Sequence, residues 1–353
     1  QQQPPTPSQD PRHMARRWWL LLPLCFASSA SFRPFHLDAD YVGIISHHEA
    51  RQLLALRHAA HAVANAPLQV SLDLGRHATA DHVEIADEGL LLRSGGESVC
   101  TWADLKKICK KADKGQQGCY QLFCDGSPPQ KVSCLSPNTQ RPASLMPPLY
   151  AGGAPTMLLG GFSMHRISGG DQKSSMDPME DTRNKIAALG ADRLYGEVLD
   201  TCCGLGYTAI EAARSSGVTK VVTIELDDAS IEMCEANPWS WPLFGDEENL
   251  DVDLRRGDAC EIVTSLADEQ FSAIIHDPPA LALCKDTDLY SLSFYEQLRR
   301  VLKRGGKIFH YIGNPDSKES GRLYRGISSR LQDAGFGSVK TDKTAFGLVA
   351  KRM

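Results

Sequence analysis

The stretch Glu197-Val198-Leu199-Asp200-Thr201-Cys202-Cys203-Gly204-Leu205-Gly206-Tyr207-Thr208-Ala209 constrains the fold of this chain more than any other. An apolar run ends in an acid, a glycine turn follows, and helix-forming residues come next. That order is a strand, a tight loop and a helix start, the opening unit of a nucleotide-type α/β fold. Glycine suits such a loop because a backbone without Cβ lets a ligand approach closely. There is no Gly-Lys-Ser/Thr here, which excludes a P-loop, and Asp-x-Cys-x-Gly-x-Gly differs from the Gly-x-Gly-x-x-Gly of dinucleotide binders. An acid directly before the loop repels a pyrophosphate and suits a cation.

S-adenosylmethionine (SAM), with its ammonium and sulfonium, is such a cation, and the elements that follow are consistent with it. Lys220-Val221-Val222-Thr223-Ile224-Glu225 reads as a buried parallel strand ending in an acid. Ligands of open α/β sheets bind at the carboxyl ends of the strands, where Glu225 can accept both ribose hydroxyls. One helix, Tyr207 to Ser216, fits between the two strands and closes at Gly217. A third strand over Asp251–Leu254 leads to Gly257-Asp258-Ala259, where Asp258 can accept from an adenine amino group. A fourth, Phe271–His276, delivers Asp277-Pro278-Pro279-Ala280.

These ordered elements resemble the class I SAM-dependent methyltransferases. Asp200 to Gly206 matches their first motif, with Cys202 where a glycine is common, Glu225 the ribose acid, Asp258 the adenine contact, and Asp277-Pro278-Pro279 the fourth motif. Phe294 to Gly306 looks like the helix and turn before a fifth strand, Lys307–Tyr311, and Phe346–Lys351 like the closing antiparallel strand. The resemblance covers Met164 to Met353. It implies an α/β fold, a seven-stranded Rossmann-like methyltransferase sheet, with SAM as cofactor held by Asp200, Cys202, Gly204, Gly206, Glu225, Asp258 and Ala259. Met164-His165-Arg166, Asp177 to Thr182, Asn237-Pro238-Trp239-Ser240, His276 to Pro279, Leu289-Tyr290-Ser291 and Phe309 to Gly313 further resemble a set of predicted methyltransferases best represented in archaea.

Methyl transfer from a sulfonium is an in-line displacement, so the enzyme mainly positions a nucleophile. The Asp277 carboxylate and the Pro278 carbonyl can accept two N–H bonds of an amine and leave its lone pair facing the methyl carbon. In related amino-methyltransferases an aromatic residue follows Asp-Pro-Pro and stacks on a planar acceptor; here Ala280 stands in that place. The expected catalytic set is Asp277, Pro278 and His276, with Pro279, Tyr290 and His310 at the acceptor. His276 has an alternative as a structural group at a strand end. His165 and Arg166 could bind an acidic group, with a surface salt bridge as the favoured reading of Arg166, and Pro178 reads as the first residue of a helix capped by Asp177.

The N-terminal half predicts less. Residues 1–36 combine a Gln/Pro-rich start, Arg16-Arg17, an apolar run from Trp18 to Ala27 and small residues Ser28 to Ala30, the layout of a cleaved presequence. Phe32 and Arg33 resemble bipartite plastid presequences, so the expected location is an organelle such as the plastid stroma, with the cytoplasm as alternative. Eleven cysteines without a Cys-x-x-Cys fit a reducing compartment and offer no zinc site. Residues 37–150 predict a small α+β module: a helix over Glu49–Ala64 carrying His58 and His61, a hairpin at Val83–Ile85 and Gly89–Arg93, a helix over Val99–Lys111 and a strand at Tyr120–Phe123. Residues 151–353 form the expected methyltransferase domain.

A net charge of −5 permits RNA binding without indicating it, despite a basic run at Arg299, Arg300, Lys303, Arg304 and Lys307. The expected reaction is methylation of an amino group on an RNA base or a small molecule, without a metal and without a membrane in the mature form. Two alternatives use the same fold: aminopropyl transfer to a polyamine, with Asp286 and Asp288 lining an acidic channel, and a SAM-fold binding subunit without catalysis.

Overall fold

The segment Phe271–His276 is buried at every position. A strand hidden on both faces needs neighbours at both edges and helices on both sides, and the computed structural model shows that arrangement. It describes residues 41–59, 70–77, 82–167, 176–245, 247, 249–281, 287–317 and 320–353. The presequence expected over 1–36, His61 and Asp286 lie outside the described residues, as does the end of the helix expected to reach Ala64.

Seven strands make the large sheet: β1 Gly196–Asp200, β2 Val218–Glu225, β3 Val252–Arg256, β4 Phe271–His276, β5 Leu302–Tyr311, β6 Phe336–Asp342 and β7 Gly347–Arg352. Their order is β3-β2-β1-β4-β5-β7-β6. The first five run parallel, with Val198 opposite Ala273 and His276 opposite His310; β7 enters antiparallel between β5 and β6. This is an α/β sheet of the Rossmann-like methyltransferase kind. The longer helices beside it among the described residues are α1 Pro178–Leu189, α2 Tyr207–Ala213, α3 Asp228–Ala236, α4 Leu292–Val301 and α5 Ser320–Asp333. Alternation divides the core in two. Val198, Ile275 and Phe309 pack with Ile186, Leu189, Ala209 and Ile210. Leu199, Ile274 and Ile308 pack with Phe294, Leu298, Ile327 and Leu331 on the other face. Strand order reverses between β1 and β4, which opens a crevice outside the carboxyl ends of those two strands.

The elements differ from expectation mainly at their ends. α2 stops at Ala213, β3 reaches Arg256, and β5 begins at Leu302, because Gly305 at φ +80° lets the backbone bulge and continue where a turn was expected. In the N-terminal part the hairpin pairs Val83 with Leu92. The helix expected from Val99 begins at Trp102, after the strand Ser98–Thr101; Thr101 caps it by accepting from the Asp104 amide. A helix spans His47–Ala59, and Tyr120–Phe123 pairs antiparallel with Tyr41–Ile45. Val42, Ile45, Leu53, Leu90, Trp102, Leu105 and Leu122 form a core of their own. Four short strands, Ser133–Leu135, Pro142–Met146, Thr156–Leu159 and Phe162–Ser163, make an antiparallel meander. The two parts are tied by hydrogen bonds: Tyr207 Oη donates to the Pro155 carbonyl (2.8 Å), and Trp239 Nε1 to that of Leu74 (3.1 Å). No described helix is long and apolar enough to cross a membrane.

Candidate active site

β1 ends on Asp200, which is fully buried and accepts from the hydroxyls of Thr208 (3.1 Å) and Thr223 (3.0 Å). Burial, and then the negative charge of Asp277, push its carboxyl up to about 7, against the pull of the two hydroxyls. The loop then turns through two left-handed glycines, Gly204 at φ +56° and Gly206 at φ +75°. A Cβ on Gly206 would lie 2.2 Å from Leu243 Cδ1, whereas a Cβ on Gly204 would meet nothing within 4 Å. The space above Gly204 is therefore open, and Gly206 packs against protein.

Glu225, at the end of β2, reaches back to this loop. Its Oε2 accepts from the Gly204 amide and its Oε1 from the Asp227 amide, both at 2.8 Å. Burial pushes this carboxyl up to about 7 as well, opposed by the two amides. The Gly257 amide donates to the Glu225 carbonyl (2.8 Å), which brings Asp258 alongside. Asp258 caps the helical turn Ala259–Ile262 by accepting from the Cys260 amide (2.7 Å), and Ala259 is buried. The Cys202 thiol, deep beside Glu225 and Asp200, is held neutral, first by burial. Asp200, Cys202, Gly204, Gly206, Glu225 and the Asp258-Ala259 turn thus line the carboxyl ends of three adjacent strands.

β4 delivers Asp277 next to this loop, since the Thr201 amide donates to the Ile275 carbonyl (3.0 Å). Asp277 Oδ2 accepts from Lys185 Nζ at 2.6 Å, and the same Nζ lies 2.9 Å from Asp181 Oδ2. Asp181 also pairs with Arg166. Lys185 is 1% exposed and lies 4.7 Å from the Tyr311 ring centroid. Burial opposes the charge on Lys185, but Asp277 and Asp181 outweigh it and raise its ammonium well above the usual range. Asp277 is raised by burial and partly restored by Lys185. Among the described residues nothing donates to Asp277 Oδ1 or to the Pro278 carbonyl. Lys185 was not expected from the sequence; its visible signal is the Asp181/Lys185 spacing of four in a helix, with Ile186 to Leu189 beside it. Arg166, expected at the surface, instead pairs with a fully buried acid and lies over Phe346 at 4.1 Å.

The expected histidines sit behind the site. His276 is fully buried; its Nδ1 accepts from the Thr201 hydroxyl (2.7 Å) and its Nε2 donates to the Leu289 carbonyl (3.0 Å). Burial lowers it to about 3, so it is neutral and both nitrogens are engaged. That geometry fits the structural alternative and leaves no nitrogen for an acceptor. His310 is likewise buried, between Tyr295 Oη and the Tyr311 carbonyl (both 2.8 Å), and lies well below its ordinary range. Tyr290 donates to the Pro279 carbonyl (3.0 Å), closing the Asp277-Pro278-Pro279 turn from outside. Ala280 is exposed.

The basic run is largely occupied within the protein. Arg300 donates to the carbonyls of Leu266 and Val263 and pairs with Asp268; Lys307 donates to the Leu189 carbonyl; Arg299 donates to that of Gly335. No group of His, Cys, Asp and Glu among the described residues could hold a metal ion.

Residues 182–320 match the family model described as Methyltransferase small domain. An uncharacterized protein of Methanocaldococcus jannaschii is 42% identical over 198 residues, which cover 56% of this chain and 63% of that protein. Polyamine aminopropyltransferase 2 of Streptomyces coelicolor is 27% identical over 178 residues, covering 49% of this chain and 30% of that enzyme. The chain thus spans less than two thirds of the length of either relative. Among solved structures, a spermidine synthase in complex with the transition-state analogue AdoDATO superposes with a TM-score of 0.49 at 16% identity, over 63% of this chain and 74% of that one.

Proposed function

We propose that this chain is a SAM-dependent transferase that methylates an amino group presented at Asp277. One observation carries the reading: four acids, Asp200, Glu225, Asp258 and Asp277, stand at the carboxyl ends of four adjacent strands around the point where strand order reverses, with open space above Gly204. The donor set fits the ligand. Glu225 has the reach and acceptor capacity for a ribose diol, Asp258 suits an exocyclic amine, and two carboxyls that burial holds near neutrality gain from a nearby cation. Bound there, SAM supplies a methyl group on a positively charged sulfur. Asp277 Oδ1 and the Pro278 carbonyl orient the acceptor nitrogen by taking its N–H bonds. The negative net charge and the internally paired basic run favour a small-molecule amine over RNA.

The relatives support a second reading on the same residues. Two polyamine aminopropyltransferases of Streptomyces coelicolor match at 27% and 28% identity, and an aminopropyl donor presents the same sulfonium to the same acids.

Calorimetric titration with SAM, followed by radiolabelled-methyl transfer into fractionated RNA, protein and small molecules, tests the proposal. SAM binding with label in small amines is expected. Absence of binding by both SAM and decarboxylated SAM would overturn the whole reading. Turnover with decarboxylated SAM and none with SAM would replace methyl by aminopropyl transfer.

A further inference from the structure

Lys185 is a buried cation to which the proposed reaction assigns no part. A fully buried ammonium is costly unless carboxylates surround it, and here one helix and one strand end supply two: Asp181 a turn earlier on α1, and Asp277 at the end of β4. Arg166 fixes the other side of Asp181, so Arg166–Asp181–Lys185–Asp277 form a continuous chain of ion pairs, buried at Asp181 and Lys185 and ending at the acceptor position. The Tyr311 ring lies beside the ammonium. Lys185 remains protonated under two carboxylates, so it has no lone pair with which to act as a base.

We propose that Lys185 is the positioning residue of the transfer site: by taking Asp277 Oδ2 it holds Asp277 as a carboxylate and leaves Oδ1 to receive the acceptor's N–H. The inference rests on the transferase reading above. In the step it serves, the acceptor nitrogen forms a bond to the donor's alkyl carbon while the carbon–sulfur bond breaks. The sulfur keeps the bonding pair and becomes a neutral thioether, and the nitrogen sheds one proton to Asp277 Oδ1. A protonated Asp277 can neither take that proton nor accept two-sided from an amine, so the charge on Lys185 decides how far down in pH the site works. The groups facing Asp277 are Lys185 and Asp181 of α1, Arg166 before it, Asp200 and Cys202 of the β1 loop, and Tyr311 of β5. Among these, Lys185 alone donates to its carboxylate among the described residues.

The test has two readouts. The first is the carboxyl titration of Asp277 by carbon-13 NMR, assigned with Asp277→Asn, in the full chain and in Lys185→Met, Lys185→Gln and Lys185→Arg. Removing an adjacent opposite charge should raise the Asp277 titration by about 1–3 pH units in the Met and Gln variants, and Arg should restore it. Gln keeps a donor and a similar length, which covers the case in which Met does not fold. The second is the pH profile of label transfer from radiolabelled SAM, and in parallel from decarboxylated SAM, into putrescine, ethanolamine and an extract of small molecules. Its acid limb should move by the same amount, with transfer on that limb falling about tenfold per unit and SAM affinity little changed. An Asp277 titration that stays put in both neutral variants overturns the proposal, as does a loss of rate uniform across pH. A wild-type chain that binds SAM yet labels nothing would sink the transferase reading, while the NMR titration would still decide whether Lys185 governs Asp277.

Discussion

Cofactor binding should release protons near neutral pH, and the amount follows from two side chains. Asp200 and Glu225 are pushed up to about 7 in the empty protein, chiefly by burial. A folded carboxyl raised in this way favours folding below its unfolded value near 4 and loses that contribution as pH rises through about 7. The empty protein therefore becomes less stable from about pH 4 to 7, and a cation that needs the ionised form opposes the trend. A group with a value of about 7 is roughly one-tenth ionised at pH 6 and nine-tenths at pH 8. SAM affinity should thus rise about tenfold, or about 1.4 kcal/mol, over that range if one carboxyl must ionise, and about a hundredfold if both must. Calorimetry at pH 6, 7 and 8, each in two buffers of different ionisation enthalpy, measures the affinity and counts the protons released. Asp200→Asn should remove one proton from the count and weaken binding. An affinity flat from pH 6 to 8 with no proton release would refute the assignment of these acids to a cationic ligand.

The two loop glycines should separate folding from binding. Gly206→Ala places a methyl against Leu243 at φ +75° and should destabilise by about 2–4 kcal/mol in urea titrations. Gly204→Ala, at φ +56° with nothing within 4 Å, should cost about 1–2 kcal/mol of stability and yet abolish SAM binding. His276→Gln should lower stability by about 1–3 kcal/mol by disturbing a buried hydrogen-bonded pair. The shape of the transfer profile between pH 5 and 8 should not change, because His276 is neutral throughout; loss of a limb near pH 6.5 would restore it as a general base.

The large sheet was legible because its strands carry two signals at once. Val221 to Glu225 and Phe271 to His276 are largely apolar runs long enough to be buried on both faces; Glu225 ends the first and Asp277 directly follows the second. The N-terminal meander was not legible, since its strands are short and segments such as Pro142–Met146 are half exposed and carry no long apolar run. Asp200, Glu225, Asp258 and Asp277 could be placed from their positions at strand ends. The partners that decide their chemistry could not. Lys185 lies 92 residues from Asp277 in sequence, and only folding turns a helical lysine into a buried counter-ion. The same holds for His276 and His310: their strand-end positions suggested reactive groups, and Thr201, Leu289, Tyr295 and the Tyr311 carbonyl engage every ring nitrogen.

Labour in the site is divided, with the loop after β1 and the end of β2 holding the donor and Asp277 serving the acceptor. Asp277→Asn keeps the side chain's size and an oxygen for Lys185, so SAM affinity and label transfer can be compared in one folded protein. Affinity should stay within about threefold of the wild type and transfer should fall by about 100-fold or more. Full transfer by Asp277→Asn would contradict this division, and so would equal loss of binding and transfer.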